Sequence, residues 1–170
     1  MTLKRWQKPG IITLFVMIML IIGLDQLSKY FASTHLVLGR PVEVLPVLNW
    51  TLLHNQGAAF SFLSNAGGWQ RWLFTGISIG VSIVFTIWLL RLPVSSWLTR
   101  FSLVFIIAGA VGNLIDRLQM GYVVDFISVH WQQHFFPAFN VADMSITFGA
   151  FLMILDIYFH PNHHQEKRAA

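Results

Sequence analysis

Long apolar runs separated by short polar stretches set the pattern of the chain. One run covers residues 11–24 and is read as a span over about 11–32. Three more fall at 69–90, 97–115 and 138–159. Each approaches the ~20 residues a helix needs to cross ~30 Å of hydrocarbon. The first run follows Lys4, Arg5 and Lys8 and has the look of a secretory leader, but no convincing small-residue cleavage site comes after it. It is therefore kept as a span. Trp69 and Trp72 fit an interfacial anchor at the start of the second span.

The connections differ in texture. Residues 41–54, PVEVLPVLNWTLLH, are rich in Val and Leu with partial alternation, and their prolines exclude another helix, so short strands are expected there. Residues 116–137 are read as a loop containing Trp131 and Pro137. Gly76, Gly80, Gly109 and Gly112 lie inside spans, where small residues suit close helix–helix contact. Gly57 and the pair Gly67 and Gly68 suggest that the connection 33–68 works as a lid. No internal repeat is visible, so an inverted-repeat transporter is not suggested.

Composition agrees with a membrane protein. Of 170 residues, 55% are hydrophobic and 11% are charged, against about 25% charged in an average soluble domain. One integral membrane domain, residues 1–170, is expected. Its fold class is all-α, with four transmembrane helices. There is no cysteine, which excludes disulfides, thiol catalysis and thiolate metal sites. The net charge is +4 and forms no basic stripe, so nucleic acid is not an expected partner.

Charge also orients the chain. Lys and Arg gather in the N-terminal segment, at 91–100 and in the tail. In 33–68 and 116–137 they are limited to Arg40 and Arg117. The positive-inside rule places both termini and the middle loop in the cytoplasm. Asp25, Lys29, Asn113, Asp116, Arg117, Asn140 and Asp143 then all lie near outer span ends, and Asp125 lies in an outer loop. Asp156 is the exception, at the inner end of the fourth span.

Three of the seven acidic residues, Asp116, Asp125 and Asp143, fall within residues 113–143. A carboxylate within a span costs several kcal/mol unless paired, solvated or protonated. Asp143 sits about one turn into the fourth span; it is either a reacting group or a cap at the boundary. Asp125, in GYVVDFI, is either desolvated among apolar neighbours or an exposed loop residue. Held together, two such carboxylates share a proton, one serving as base towards water and the other as acid. Asn55, Asn113 and Asn140 suit orienting carboxylates or holding a peptide, and equally suit caps and turns. Asp25 and Lys29 are spaced to pair on one helix face. Asp116 and Arg117 point to different faces and need separate partners; Arg117 is placed to meet a lipid phosphate. His130 and His134 lack the intervening Glu of a zinc-peptidase motif, so no metal is expected. A proton-relay transporter would need polar residues through the membrane depth, and a plain scaffold leaves the acidic cluster unexplained.

DQLSK (25–29), NQGAAFSFL (55–63), GAVGNLIDR (109–117), VVDFI (123–127) and FNVADMSI (139–146) together resemble the lipoprotein signal peptidase, or signal peptidase II, family. The resemblance covers nearly the whole chain. It implies a four-helix bundle with a small extracytoplasmic β-like platform and a short outer helix. It implies an aspartic endopeptidase of the bacterial cytoplasmic (inner) membrane, with its site facing the periplasm. Such an enzyme cuts lipid-modified prolipoproteins just before the lipidated cysteine and is blocked by globomycin-type inhibitors. On the matching positions, Asp125 and Asp143 are the catalytic pair. Asn55, Gly57, Asn113, Arg117, Asn140, Ala142, Asp25, Lys29 and Asp116 line or support the site. No cofactor is implied, membrane phospholipids are the surroundings, and a monomer is expected. The motif leaves open which Asp is the base.

Overall fold

A computed structural model describes residues 9–57 and 68–159. Four helices are long and apolar enough to cross a membrane: α1 (Ile11–His35), α2 (Trp69–Arg91), α3 (Trp97–Gln119) and α4 (Val141–Phe159). They are joined by an antiparallel sheet of β1 (Val42–Leu45), β2 (Leu48–Asn55), β3 (Val123–Trp131) and β4 (His134–Phe135), in that order. Among the described residues there is no further helix. Of the connection 33–68 expected to work as a lid, residues 58–67 lie outside the described residues.

The central helix is α3. In its most apolar window 67% of residues are buried inside the protein, against 17–22% in the other three. Leu14 and Ile18 of α1, Leu89 of α2, and Leu103, Val104, Ile107 and Ala108 of α3 form the apolar core. The buried residues of α1 are Leu14, Ile18, Asp25, Lys29 and Ala32. Their spacing of three, four and seven marks one stripe along the helix. The stripe is apolar at one end and charged towards the other. Lipid-facing side chains such as Ile12, Leu20, Ile83 and Ile154 are exposed, as expected of helices solvated by hydrocarbon.

Small residues set how closely α3 and α4 approach. A Cβ added to Gly109 would overlap the Ala142 carbonyl, and one on Gly149 would lie 2.7 Å from the Ser102 carbonyl oxygen. At Gly112 it would stand 2.6 Å from Asp25 Oδ2, so this glycine admits the α1 carboxylate. Gly76 and Gly80 were expected to play the same part, but nothing lies within 4 Å of a Cβ at either. They face away from the bundle, because α2 packs through other residues, including the buried Gln70, Thr75 and Leu89.

The expected strands at 41–54 correspond to β1 and β2. The expected loop at 116–137 is largely not a loop. Its first residues continue α3 to Gln119, and nine residues form β3. Val123, Val124, Asp125 and Phe126 are buried in succession. A strand covered on both faces shows no alternation, which is why the pattern hid it. His130 and His134 therefore do not share a helix face; they lie in β3 and β4, where His134 pairs with Trp131.

β2 and β3 join segments some seventy residues apart in sequence. Their register slips between Trp50 and Leu53: Trp50 faces Ile127, but Leu53 faces Asp125 and Asn55 faces Val123. The bulge inserts one residue in β2. Without it His54 would stand opposite Val123; with it Asn55 does, on the face that carries Asp125. α4 starts at Val141 rather than 138 because Phe139 remains extended. Its N–H donates to the Ile127 carbonyl (3.0 Å), and its carbonyl accepts from the N–H groups of Phe126 and Ile127 at 3.1 and 2.9 Å.

Gly109→Ala and Gly149→Ala are expected to destabilise the folded protein by about 1–3 kcal/mol, the usual cost of overpacking. Gly80→Ala, on an open face, should leave stability unchanged or slightly raised. Thermal unfolding of the three variants in one detergent, followed by circular dichroism, checks this contrast.

Candidate active site

Where α1, α3, β3 and the start of α4 meet, the structure buries a connected set of polar groups. Lys29 is 3% exposed. Its ammonium lies 2.8 Å from Asp25 Oδ2, 2.9 Å from Asp116 Oδ2 and 3.0 Å from Asn113 Oδ1. The expected pairing of Asp25 with Lys29 is present, and Asp116 joins it. Each carboxylate also holds a distant backbone group. Asp25 Oδ1 accepts from the Ala142 N–H (2.8 Å), and Asp116 Oδ2 accepts from the Val124 N–H (3.1 Å). The cluster thus ties α1 and α3 to the first turn of α4 and to β3.

Asp125 projects from β3 and is 2% exposed. Its Oδ1 accepts from Asn140 Nδ2 at 2.7 Å and its Oδ2 from Asn55 Nδ2 at 2.9 Å. Burial pushes its carboxyl up to about 7, the charge of Asp143 adds to the rise, and the Asn55 and Asn140 amides oppose it. Asp143 is in the first turn of α4 and is half-buried. Its Oδ1 accepts from Asn113 Nδ2 at 2.8 Å, and its Oδ2 accepts from the Asn140 N–H at 3.3 Å.

Asn140 stands between the two acids. Its side-chain oxygen accepts from the Asp143 N–H (2.9 Å) while Asp143 reaches back to the Asn140 N–H, a reciprocal cap on α4. The same side chain donates to Asp125 and to the Val124 carbonyl (3.2 Å). One residue therefore ends the extended segment, starts the helix and links both carboxyl groups.

The three asparagines share a logic. An amide has an acceptor end and a donor end, and whatever donates to the acceptor end decides where the donor end points. For Asn55 that donor is the Gly57 N–H, at 3.0 Å. For Asn140 it is the Asp143 N–H, and for Asn113 it is Lys29. All three present their NH2 groups to the two acids.

Asn55, Gly57, Asn113, Arg117 and Asp143 line the polar end of a cavity of about 940 Å³. Its remaining wall is largely apolar, with Phe136 and Pro137 ahead of α4 and Phe148 and Phe151 on it. Asp143 faces this cavity and Asp125 lies behind it. Arg117 places its guanidinium 5.4 Å from the centre of the Phe74 ring. Ala142 contributes its backbone N–H, through Asp25, rather than a wall of the cavity. Among the described residues no group of three or more His, Cys, Asp or Glu side chains is arranged to hold a metal. Asp156, at the far end of α4, receives a hydrogen bond from Thr99 near the start of α3.

Two partners were not among the expected site residues, although Gln26 lies within DQLSK. Gln26 donates to Asp116 Oδ1 (2.9 Å), Asp25 Oδ2 (3.1 Å) and the Gly112 carbonyl (3.2 Å). It is uncharged, so charge pairing along the chain does not single it out, though it lies beside Asp25 on α1. Arg71, in the first turn of α2, donates to the carbonyls of Arg117 (2.9 Å) and Leu118 (3.1 Å). It satisfies the open C-terminal carbonyls of α3.

The family model described as signal peptidase (SPase) II matches residues 17–159. The lipoprotein signal peptidase of Acinetobacter baylyi is 56% identical over 140 residues, covering 82% of this chain and 78% of that protein. The lipoprotein signal peptidase of Shewanella halifaxensis is 46% identical over 154 residues, covering 91% and 90%. A solved bacterial membrane enzyme superposes with a TM-score of 0.80 at 31% identity, covering 92% of this chain and 93% of that one. With family, relatives and architecture in agreement, the chain belongs to the signal peptidase II family of multi-pass membrane peptidases.

Proposed function

We propose that this peptidase removes signal peptides from lipid-modified bacterial prolipoproteins, cutting just before the lipidated cysteine, with Asp125 and Asp143 activating water. The observation that carries this reading is the double hold of Asn140 at the polar end of an apolar cavity, its side-chain NH2 on the Asp125 carboxyl and its backbone N–H on that of Asp143. Related proteins named lipoprotein signal peptidase support the substrate class. The site faces the periplasmic side of the inner membrane, with both termini and the 91–100 loop in the cytoplasm, as the Lys and Arg distribution favours. The apolar wall suits a lipid-bearing substrate, globomycin-type inhibitors compete for the same cavity, and the enzyme works as one domain and as a monomer among phospholipids.

In the proposed reaction Asp125, raised to about 7, carries the proton the pair shares. Asp143, on the cavity wall, takes a proton from water as its oxygen attacks the scissile carbonyl. Asp125 gives its proton to the carbonyl oxygen. The tetrahedral species then collapses, the C–N bond breaks, the leaving amine takes the proton from Asp143, and Asp125 recovers its own. No covalent enzyme intermediate forms. Amide donors on both acids hold them without drawing the reacting proton into a fixed bond.

Asp125→Asn and Asp143→Asn should each abolish cleavage of a lipidated precursor while the purified protein stays folded; near-normal turnover in either removes the pair from the mechanism. Since the monoprotonated pair is the active form and Asp125 titrates at about 7, kcat/KM should fall about tenfold per pH unit above that value. A profile flat to about pH 9 contradicts this assignment. Asn140→Ser retains a capping oxygen but loses the amide bridge to Asp125, so it should recover most of the ~1 kcal/mol of stability lost in Asn140→Ala while both variants remain poorly active.

A further inference from the structure

We propose that Lys29 is a positioning residue of the reaction: its buried ammonium sets the amide of Asn113 so that the NH2 end faces Asp143. This rests on the reading of Asp125 and Asp143 as the reacting pair.

Lys29 has three donors, and three oxygens meet them: Asp25 Oδ2, Asp116 Oδ2 and Asn113 Oδ1 at 2.8, 2.9 and 3.0 Å. None belongs to Asp125 or Asp143, and Lys29 does not line the cavity. Its charge acts on Asp125 through space, and its hydrogen-bonded reach to the chemistry passes through Asn113. The other two asparagines are oriented by backbone N–H groups, which the fold holds in place whatever the side chains do. Asn113 alone of the three is oriented by a charged side chain. Turned over, its NH2 would meet the ammonium and its carbonyl would meet the Asp143 carboxylate, so both contacts would become repulsive. Asn140 Nδ2, at 3.3 Å from Asn113 Oδ1, reinforces the same orientation.

The orientation matters because Asn113 Nδ2 is the closest donor to Asp143, at 2.8 Å from Oδ1, whereas Oδ2 has the longer contact of 3.3 Å to the Asn140 N–H. The Asn113 bond holds one oxygen and leaves the other less tightly engaged. Asp25 and Asp116 in turn hold the cation, assisted by Gln26. A set of charges on α1 and α3 thereby fixes the plane of a carboxylate on α4.

The test is a double-mutant cycle on the purified enzyme in phospholipid nanodiscs, with a lipidated precursor as substrate. Lys29→Met and Asn113→Ala should each lower kcat about tenfold or more with KM changed less than about twofold, and the double variant should be no worse than the poorer single one. Losses that multiply would show that Lys29 acts independently of Asn113, and an unchanged kcat in Lys29→Met would also overturn the proposal. Lys29→Met leaves two carboxylates without their cation, so Lys29→Met with Asp116→Asn, which keeps the net charge of the cluster, guards against misfolding. It should be folded and equally slow; recovered turnover would count against the proposal. Asp143→Asn separates the two ideas. If it remains active the reacting pair is wrong, and if it is dead while the losses multiply, only the role of Lys29 falls.

Discussion

Buried charge in a bilayer is the constraint on which the rest of the structure depends. Asp25, Asp116 and Lys29 lie where each alone would cost several kcal/mol, and they are stable there only because each is matched. Lys29 satisfies both carboxylates, Gln26 bridges them, Asp25 Oδ1 takes the Ala142 N–H, and Asp116 Oδ2 takes the Val124 N–H beside Lys29. Those two N–H groups belong to α4 and β3, the elements that carry Asp143 and Asp125. Satisfying the buried charges therefore places the two acids as well. Gly112 is part of this arrangement, because a larger residue there would push Asp25 away.

The same economy appears at Asn140. A helix start must satisfy its first N–H groups, and an extended strand partner must end somewhere. Phe139 bonds to β3, Asn140 caps α4, and Asp143 completes the cap from three residues on. The side chain left pointing inward bridges to Asp125. Local folding rules and the geometry of the site are met by one residue, so a substitution there disturbs both at once.

A bundle of apolar helices offers few fixed backbone groups at its rim. The sheet supplies them. Through β2 and β3 it brings Asn55 and Asp125 side by side, and the bulge between Trp50 and Leu53 selects Asn55 over His54. Through Ile127 and Phe139 it fixes the entry to α4. The helices set the depth of the site and the sheet sets its lateral geometry.

Much of this was legible along the chain. Apolar run lengths mark the four helices long and apolar enough to cross a membrane. The i, i+4 spacing of Asp25 and Lys29 puts them on one face, and polar residues near alternate span ends gather at one level, because these features depend only on local periodicity and on the cost of burying charge. What pairs across distance was not legible. β3 was hidden because it is buried on both faces. Gly109 and Gly149 meet α4 or α3, while Gly76 and Gly80 meet nothing, a distinction decided by which side of each helix the bundle covers. Arg71 and Gln26 became partners only when carbonyls and carboxylates from other helices arrived beside them. Sequence by itself determined which groups must be kept from lipid; only the tertiary structure decided which of them meet, because strand register and helix rotation depend on contacts between segments far apart in the chain.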